Sequence, residues 1–222
     1  MVRKLLVILT VAALSFSAYS ALPSGLNVVK GSGNVTSETR TISGVTSIDL
    51  AGSADVDITF GETESLVVEA EDNIIALIET EVQNGQLVIG RKSGAGYSCT
   101  KPVTVHVTLK SLEAVSLSGS GSISVPNFKG DTIKVDLSGS GDINVSGTAD
   151  SAEMTVGGSG RINGEQLKAN SVEVSIDGSG SASVYASEQL DATIEGSGRI
   201  RYSGNPADIN QNVNGSGGIT SE

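Results

Sequence analysis

The sequence predicts an all-β fold, a right-handed parallel β-helix (a solenoid) with rungs of about 19 residues. Three observations predict it. The tripeptide Gly-Ser-Gly returns at regular intervals, apolar residues stand at fixed offsets on both sides of each copy, and glycine is abundant while aromatic residues make up only 3% of the chain. A short rung of this kind can bury its apolar face only against a neighbouring rung, so the repeat favours a stack.

The Gly-Ser-Gly copies follow one another at intervals of 18 to 20 residues and are interpreted as structural corners. Glycine reaches positive φ cheaply, and a Cβ at a stacked corner would collide with the rung above. We expect the intervening serines to form a column of hydroxyls that bond to each other or to the backbone. A phosphate-binding loop would need a helix after each copy, whereas a strand pattern follows. The corner glycines are Gly119, Gly121, Gly139, Gly141, Gly158, Gly160, Gly178, Gly180, Gly196, Gly198, Gly215 and Gly217.

Three apolar columns flank the corners and predict two short strands of period 2 in every rung. Stacked about 4.8 Å apart, six rungs would form a pillar roughly 24 Å long. The crossover rule predicts right-handed winding. Two residues before each copy stand Leu117, Leu137, Val156, Ile176, Ile194 and Val213; four residues before it stand Val115, Val135, Met154, Val174, Ala192 and Gln211; four residues after its first glycine stand Ile123, Ile143, Ile162, Ala182, Ile200 and Ile219.

The first 20 residues are interpreted as a signal peptide. Arg3 and Lys4 precede an apolar run over residues 5–16, and small residues at 18–20 predict cleavage before Ala21. An uncleaved anchor helix is the alternative, although the apolar run is short for a membrane span. We therefore expect an exported mature chain that does not insert into the membrane.

Residues 21–110 are predicted to form a β-rich N-terminal part, and residues 111–222 the β-helix repeats, within one continuous domain. Alternation predicts strands at residues 47–50, 55–60, 66–70 and 103–109. Asn84-Gly85 predicts a hairpin between two apolar runs. For residues 73–80 a short helix and an extended segment are both considered, and the extended form is favoured. Residues 91–100 are predicted to be a loop, and the non-repetitive stretch from Gly61 to Lys110 is predicted to be an insertion between early and late rungs.

Composition excludes several function classes. The net charge is −11, and removal of Arg3 and Lys4 makes it more negative by two. Such a chain disfavours nucleic acid and anionic lipid as partners, because both require a positive face. Cys99 is the one cysteine and His106 the one histidine. They cannot complete a zinc site, and we interpret them as surface residues rather than as a nucleophile and its base. No column of acidic ligands for calcium follows the corners.

No catalytic, cofactor-binding or metal-binding residue is assigned from the sequence. A β-helical polysaccharide lyase or hydrolase would need clustered carboxylates, whereas the carboxylates of this chain are dispersed along the repeats. Tyr185 and Tyr202 follow related rungs, and their stacking on one face would suggest a carbohydrate contact. The dispersed carboxylates are Asp136, Asp142, Asp150, Glu153, Asp177 and Glu195.

Several segments together resemble a bacterial exported family, the head domain of autotransporter adhesins, also called the GIN domain. They are Gly31–Val35, Val45–Ile58, Asn84–Ile89 and the Gly-Ser-Gly-x-Ile rungs after Leu112. The resemblance covers the chain from about Gly31 onward. It implies a right-handed β-helix in an exported bacterial protein, and it brings no catalytic residues.

The sequence therefore predicts a non-enzymatic, exported β-helical module with an adhesin-like, structural or binding role at the bacterial envelope. Its expected location is the periplasm, the cell surface or the medium, and its expected partner is a surface protein or a glycan. A carbohydrate-active β-helix enzyme is one alternative. A self-assembling scaffold is another, because residues 217–222 show no capping segment and the C-terminal edge could pair with a second copy.

Overall fold

Parallel strands stacked in register on both sides of the glycine corners organise the fold. The computed structural model describes residues 28–222, so the predicted signal peptide and its cleavage site lie outside the described residues. Within this range fifteen strands join one sheet and two short strands form a separate pair. The described residues contain one single-turn 3-10 helix and no α-helix. The predicted all-β solenoid is confirmed.

The strands are numbered in chain order. They are β1 Val28–Lys30, β2 Val35–Arg40, β3 Ser47–Gly52, β4 Asp55–Phe60, β5 Ser65–Glu71, β6 Ile78–Gln83, β7 Gln86–Arg91, β8 Gly96–Ser98, β9 Thr104–Leu109, β10 Ala114–Gly119, β11 Ser122–Gly139, β12 Asp142–Val156, β13 Arg161–Gly178, β14 Ser181–Gly196, β15 Arg199–Ser203, β16 Asp208–Gly215 and β17 Gly218–Ser221.

Each long strand from β11 to β14 makes nearly one whole coil of the solenoid. The first residues of β11 pair with β4, and its last residues pair with β10. Between them the register shifts after Val125, where Asn127 has a φ of 58°. Such a bulge bends the strand and lets it continue along another side of the coil. The stacked parallel coils make about five turns.

The apolar columns form the core. Ile123 pairs with Ile143, Ile143 with Ile162, and Ile162 with Ala182, all in one continuous register. These four side chains are at most 2% exposed. Because alternate residues of each strand point inward, the outward positions remain for polar side chains. The apolar columns predicted from the sequence are therefore stacks of in-register residues in the core of the solenoid.

Successive corners are joined by their backbones. The amides of Ser140 and Gly141 both donate to the carbonyl of Gly119, at 2.9 and 3.2 Å. The corner serines Ser140 and Ser159 are exposed, so backbone amides, rather than the expected column of hydroxyls, link one corner to the next. A Cβ built on Gly139 would lie 2.2 Å from the carbonyl oxygen of Gly119. Only a residue without a side chain allows this approach.

The stretch from Gly61 to Lys110 is inserted between two adjacent coils. Strand β3 pairs directly with β10, although more than sixty residues separate them. On the other side, β3 pairs with β7 and β4 pairs with β9, so the insertion adds one further rung. Antiparallel strands then finish this end of the sheet, with β6 along β7, β5 along β9, and β2 along β5.

The predicted hairpin at Asn84-Gly85 is present. Both residues have positive φ, 50° and 82°, as a two-residue turn between β6 and β7 requires. The favoured extended form of residues 73–80 is wrong for its first half, because Ile75–Leu77 form a 3-10 turn before β6 begins. The turn brings Ile74 and Ile75 into the core. Residues 91–100 are also not wholly a loop, since they contain β8, which pairs with β1.

None of the helices described for residues 28–222 has the length and apolar character needed to cross a membrane.

The close contact between corners yields a stability prediction. Gly160→Ala would place a Cβ 2.4 Å from the carbonyl oxygen of Gly141, and that backbone is fixed by the stack on both sides. We expect a loss of about 2 kcal/mol or more in the free energy of unfolding, measured by urea denaturation. Gly157→Ala is the matched control, because its nearest neighbour would be 3.7 Å away. Equal stability of the two variants would contradict the steric role of the corner.

Candidate binding groove

A groove opens where the stack of short corners is first interrupted. Only Ser53 and Ala54 connect β3 to β4. On the neighbouring rung, β7 ends at Arg91 and β9 begins at Thr104, so residues 92–103 replace the short corner. This longer excursion cannot stack on Ser53 as the later corners stack on one another. The space between them is called the corner groove below.

The corner groove has two adjoining parts that share Ser53 and Tyr97. The larger has a volume of about 470 Å³, and the smaller about 240 Å³. These volumes suit a small ligand rather than a folded partner. The larger part is lined by Ala51, Gly52, Ser53, Glu79, Glu81, Val88, Gly90, Arg91 and Tyr97. The smaller part is lined by Ser53, Ala54, Tyr97, Cys99, Lys101, Pro102 and Val103.

The hairpin of β6 and β7 supplies the charged wall. Glu79 and Glu81 are exposed and lie two residues apart on β6, so both point to the same side of the sheet. Arg91 ends β7 and lines the same space. The alternate residues of β7, Leu87 and Ile89, are buried in the core. Val88 and Gly90, on the opposite face of β7, pair with Glu81 and Glu79 and line the groove. Burial of the Leu87 face therefore turns the two glutamates towards the groove.

Strand β8 supplies the aromatic wall. Tyr97 lies in the middle of β8, where its backbone pairs with Val29 of β1. Its side chain is half-buried and packs against the core. This burial raises the pKa of the Tyr97 hydroxyl above its usual value. The hydroxyl is therefore a neutral hydrogen-bonding group over the physiological pH range.

A buried carboxylate holds the segment that follows β8. Glu71 is 0% exposed. Its side chain accepts hydrogen bonds from the hydroxyl of Thr100 at 2.6 Å, from the amide of Thr100 at 2.9 Å and from the amide of Gly33 at 2.6 Å. A Cβ on Gly31 would overlap this carboxylate. Glu71 thus ties the N-terminal segment and the Thr100 loop to the end of β5.

The environment of Cys99 does not favour a nucleophile. Its side chain lies in the smaller part of the corner groove and is partly buried. Burial raises the pKa of the Cys99 thiol, and the nearby negative charge of Glu71 raises it further. The raised pKa keeps the Cys99 thiol protonated. Since the reactive form of cysteine is the thiolate, this side chain contributes apolar surface here rather than a nucleophile.

His106 has acidic neighbours that the sequence pattern did not indicate. It lies on the outer face of β9, with Nδ1 3.5 Å from Asp57 and Nε2 4.0 Å from Glu69. These acids lie beside it because β4, which carries Asp57, and β5, which carries Glu69, flank β9 on its two sides. All three side chains are about half exposed, and the cluster faces solvent rather than the groove lining.

The remaining carboxylates are spread over the surface of the repeats. Asp142 pairs with Arg161 at 3.5 Å, and Glu153 pairs with Lys134. Exposed pairs of this kind are worth at most about 1 kcal/mol each. Among residues 28–222 no group of three or more acidic, histidine or cysteine side chains is arranged to hold a metal ion.

Tyr185 and Tyr202 do not stack on one face, so they do not form the carbohydrate contact that the sequence suggested for them. In the register of β14 and β15, Val184 pairs with Tyr202 and Tyr185 pairs with Ser203. Adjacent residues of a strand point to opposite faces. Tyr202 therefore packs against the core, while Tyr185 faces outward beneath the ammonium group of Lys168, which lies 3.8 Å from the ring centre.

A second, shallower groove crosses several rungs beside the bulge of the coils. Its volume is about 320 Å³. Along it runs a ladder of small polar side chains in which the amide of Asn163 donates to the side-chain oxygen of Asn144 at 2.7 Å. This amide groove is lined by Ser124, Val125, Pro126, Asn144, Val145, Ser146, Asn163, Glu165, Gln166 and Ser183.

The fold places the chain in the class of parallel β-solenoids. The family described as putative auto-transporter adhesin, head GIN domain, matches residues 44–206, which is well over half of the chain. The protein belongs to this family. The matched range contains the corner groove and the repeats as far as residue 206.

Solved structures show the same fold. An adhesin-like protein from Bacteroides fragilis, described as a putative adhesin, is 24% identical with a TM-score of 0.74, over 87% of this chain and 100% of that one. A putative lipid binding protein from Parabacteroides distasonis is 29% identical with a TM-score of 0.55, over 87% and 99%. A putative adhesin from the same species is 23% identical with a TM-score of 0.54, over 88% and 100%. No curated protein matches the chain significantly.

The convergence of Glu79, Glu81, Arg91 and Tyr97 was not predicted from the sequence. Each of them appeared as an ordinary hairpin or loop residue. The available signals were indirect: the first corner has Ala54 where later copies have a second glycine, and the stretch from Gly61 to Lys110 departs from the repeat. Those signals indicate where the stack is irregular, but not which side chains meet there.

Glu71 gives a pH prediction. The hydroxyl of Thr100, followed by backbone amides, lowers the pKa of the Glu71 carboxyl. Because its folded-state pKa lies below its unfolded value, the ionised form adds stability above the unfolded pKa of about 4.3, and this is lost as the pH falls through the folded pKa. We expect Glu71→Gln to lower the melting temperature by several degrees at pH 7.

The same experiment carries its own control. The difference between wild type and Glu71→Gln should shrink as the pH falls below about 4, because protonation removes the charge from the wild-type carboxyl as well. Glu62→Gln, at an exposed turn position, should change the melting temperature little at any pH. A constant Glu71→Gln deficit from pH 7 to pH 3 would contradict the role of the ionised group.

Proposed function

We propose that this protein is an exported, non-enzymatic, adhesin-like module that binds a carbohydrate in the corner groove. The observation that carries the proposal is the convergence of one aromatic side chain and three charged side chains on a groove of about 470 Å³. The family description as an adhesin head domain supports a binding role.

The chemistry of the groove suits a sugar. Sugar rings offer apolar C–H faces that lie against aromatic rings, and hydroxyls that bond to carboxylates and guanidinium groups. Tyr97 offers the ring, while Glu79, Glu81 and Arg91 offer the polar groups. A small number of placed polar groups in a groove of this volume is typical of small-ligand sites. A protein partner would need a contact area of about 800 Å², made by roughly 20 to 30 residues on each side, whereas nine residues line this groove.

A lipid chain suits the groove less well, although one similar structure is described as a putative lipid binding protein. An acyl chain placed there would cover Glu79, Glu81 and Arg91 without offering them hydrogen-bond partners. Covering charged groups in this way costs several kcal/mol per group, by order of magnitude. The lining therefore favours a polar ligand.

Hydrolysis of a glycan is the second candidate, and the carboxylate pair favours it. Glu79 and Glu81 lie two residues apart on one strand, so their Cα atoms are about 7 Å apart by the rise of a β-strand. Inverting glycosidases hold their two carboxyl groups about 6.5–9.5 Å apart, which side chains at this backbone spacing can match. However, those enzymes place their two carboxyls on opposite sides of the scissile bond. Side chains from the same face of one strand approach a sugar from the same side, so binding is the favoured function.

A binding experiment tests the proposal. The chain from residue 21 onward would be screened on a glycan array, and the glycans that bind would be measured by calorimetry. Tyr97→Ala should weaken binding roughly 3- to 10-fold through loss of the ring contact. As a separate variant, Glu81→Gln should weaken binding more than Tyr97→Ala does, through loss of a charged acceptor. Tyr185→Ala, the matched control far along the repeats, should leave the affinity unchanged.

Other outcomes would redirect the proposal. Loss of binding in Asn163→Ala but not in Tyr97→Ala would move the site to the amide groove. Release of smaller sugars by the wild type, abolished in Glu79→Gln, would establish the enzyme instead. Failure of every glycan to bind would contradict the carbohydrate as the ligand.

The export proposal has a separate test. The sequence pattern of residues 1–20 supports removal of a signal peptide before Ala21. When the full chain is produced in a bacterial host, the exported form should begin at Ala21, as measured by intact-mass spectrometry. Lys4→Glu together with Arg3→Glu should slow processing, because the signal needs its positive n-region. A mature form that retains residue 1 would contradict a cleaved signal.

A further inference from the structure

The two ends of the solenoid differ in whether further strands pair with their edge strands. At one end the antiparallel strands β2, β5 and β6 complete the sheet. At the other end, within the described residues, β16 pairs only with β14 and β17 only with β15. Ile209 and Val213 of β16 are each 43% exposed, although every earlier member of their columns is buried. Apolar side chains and open backbone groups therefore coincide on β16.

Strand β16 lacks the features that normally prevent an edge strand from pairing with another chain. Such edges are protected by lysine, by proline or by inward charges. From Ile209 to Gly215 the strand contains neither charge nor proline. Its outward residues are Asn210, Asn212 and Asn214, which can both donate and accept hydrogen bonds.

Charge also singles out this end of an acidic protein. The chain as a whole carries −11. From residue 199 onward, however, Arg199 and Arg201 balance Asp208 and Glu222. Two copies can therefore approach through this end without the repulsion that their acidic faces would cause.

We propose that β16 pairs with β16 of a second copy, antiparallel and centred on Gln211, and joins two solenoids tail to tail about a two-fold axis. In this register Ile209 lies opposite Val213 of the second copy, and Val213 opposite its Ile209. Gln211 lies opposite the Gln211 of the second copy, where two amides can bond to each other. A two-fold interface requires this kind of self-complementarity.

The outward side chains of β16 agree with the same register. Asn210 lies opposite Asn212 of the second copy, and Asp208 lies opposite its Asn214. No like charges oppose each other, and neutral cross-strand pairs avoid the repulsion that such an arrangement would cause. A shift by one residue would place Asn210 opposite Val213 and break the apolar pairing. The alternation of β16 therefore specifies one register.

This interface is independent of the corner groove, which lies near the opposite end of the solenoid. The dimer would carry two grooves at its far ends, about twice the solenoid length apart. An adhesin-like protein of this form could engage two ligands at once, and its avidity would exceed the affinity of one groove.

The oligomeric state tests the proposal. Sedimentation equilibrium of the chain from residue 21 onward should show a monomer–dimer equilibrium, with no larger species. Val213→Lys should weaken the dimer at least tenfold, since it places a charge in the apolar pairing. Val35→Lys is the matched control, because Val35 is 54% exposed on β2 at the other end, and it should leave the equilibrium unchanged. Circular dichroism checks that both variants fold.

Cross-linking tests the two-fold register. In a Cys99→Ser background, Gln211→Cys should form a disulfide-linked dimer under mild oxidation, because directly opposed residues of antiparallel strands lie within disulfide reach. Thr36→Cys, on β2, should remain monomeric. Cross-linking between Gln211→Cys and Thr36→Cys chains in a mixture would overturn the proposal in favour of head-to-tail filaments. A strict monomer at all concentrations would overturn it as well.

Discussion

The close approach of stacked corner backbones is the contact on which the rest of the solenoid depends. The carbonyl of Gly139 accepts from the amides of Ser159 and Gly160, and at every later corner the serine amide donates to the first glycine carbonyl of the corner before it. The approach leaves no space for a Cβ at these positions. Once two corners are in contact, the register of the strands on both sides is set, because a slip by one residue would turn every apolar side chain outward.

The corner groove and the edge strand β16 lie where this stacking contact is interrupted. Near the antiparallel end, residues 92–103 replace a corner and cannot stack, so Ser53 is left under an open groove. At the other end, within residues 28–222, the corner at Gly215 and Gly217 stacks on one neighbouring corner, and β16 pairs with β14 alone. A uniform stack offers a ligand few concave surfaces, whereas an interruption in the stack makes one from the same backbone geometry.

The groove is held by contacts of a different kind from those of the stack. Glu71 is a buried charge whose oxygens are satisfied by a hydroxyl and by backbone amides, and such pairing is what makes burial of a carboxylate affordable. It fixes the Thr100 loop, while the β1–β8 pair fixes Tyr97. The aromatic wall thus rests on these two supports, whereas the charged wall is held by the pairing of β6 with β7.

The sequence by itself determined the solenoid, its three apolar columns and the Asn84-Gly85 hairpin, because these follow from local period and from residues with special backbone freedom. Only the tertiary structure decided the groove. Strand β8 is three residues long and pairs with a strand more than sixty residues away, and the 3-10 turn at Ile75–Leu77 depends on burial of its isoleucines. The meeting of Glu79, Arg91 and Tyr97 comes from such long-range contacts, for which a single sequence carries no periodic signal.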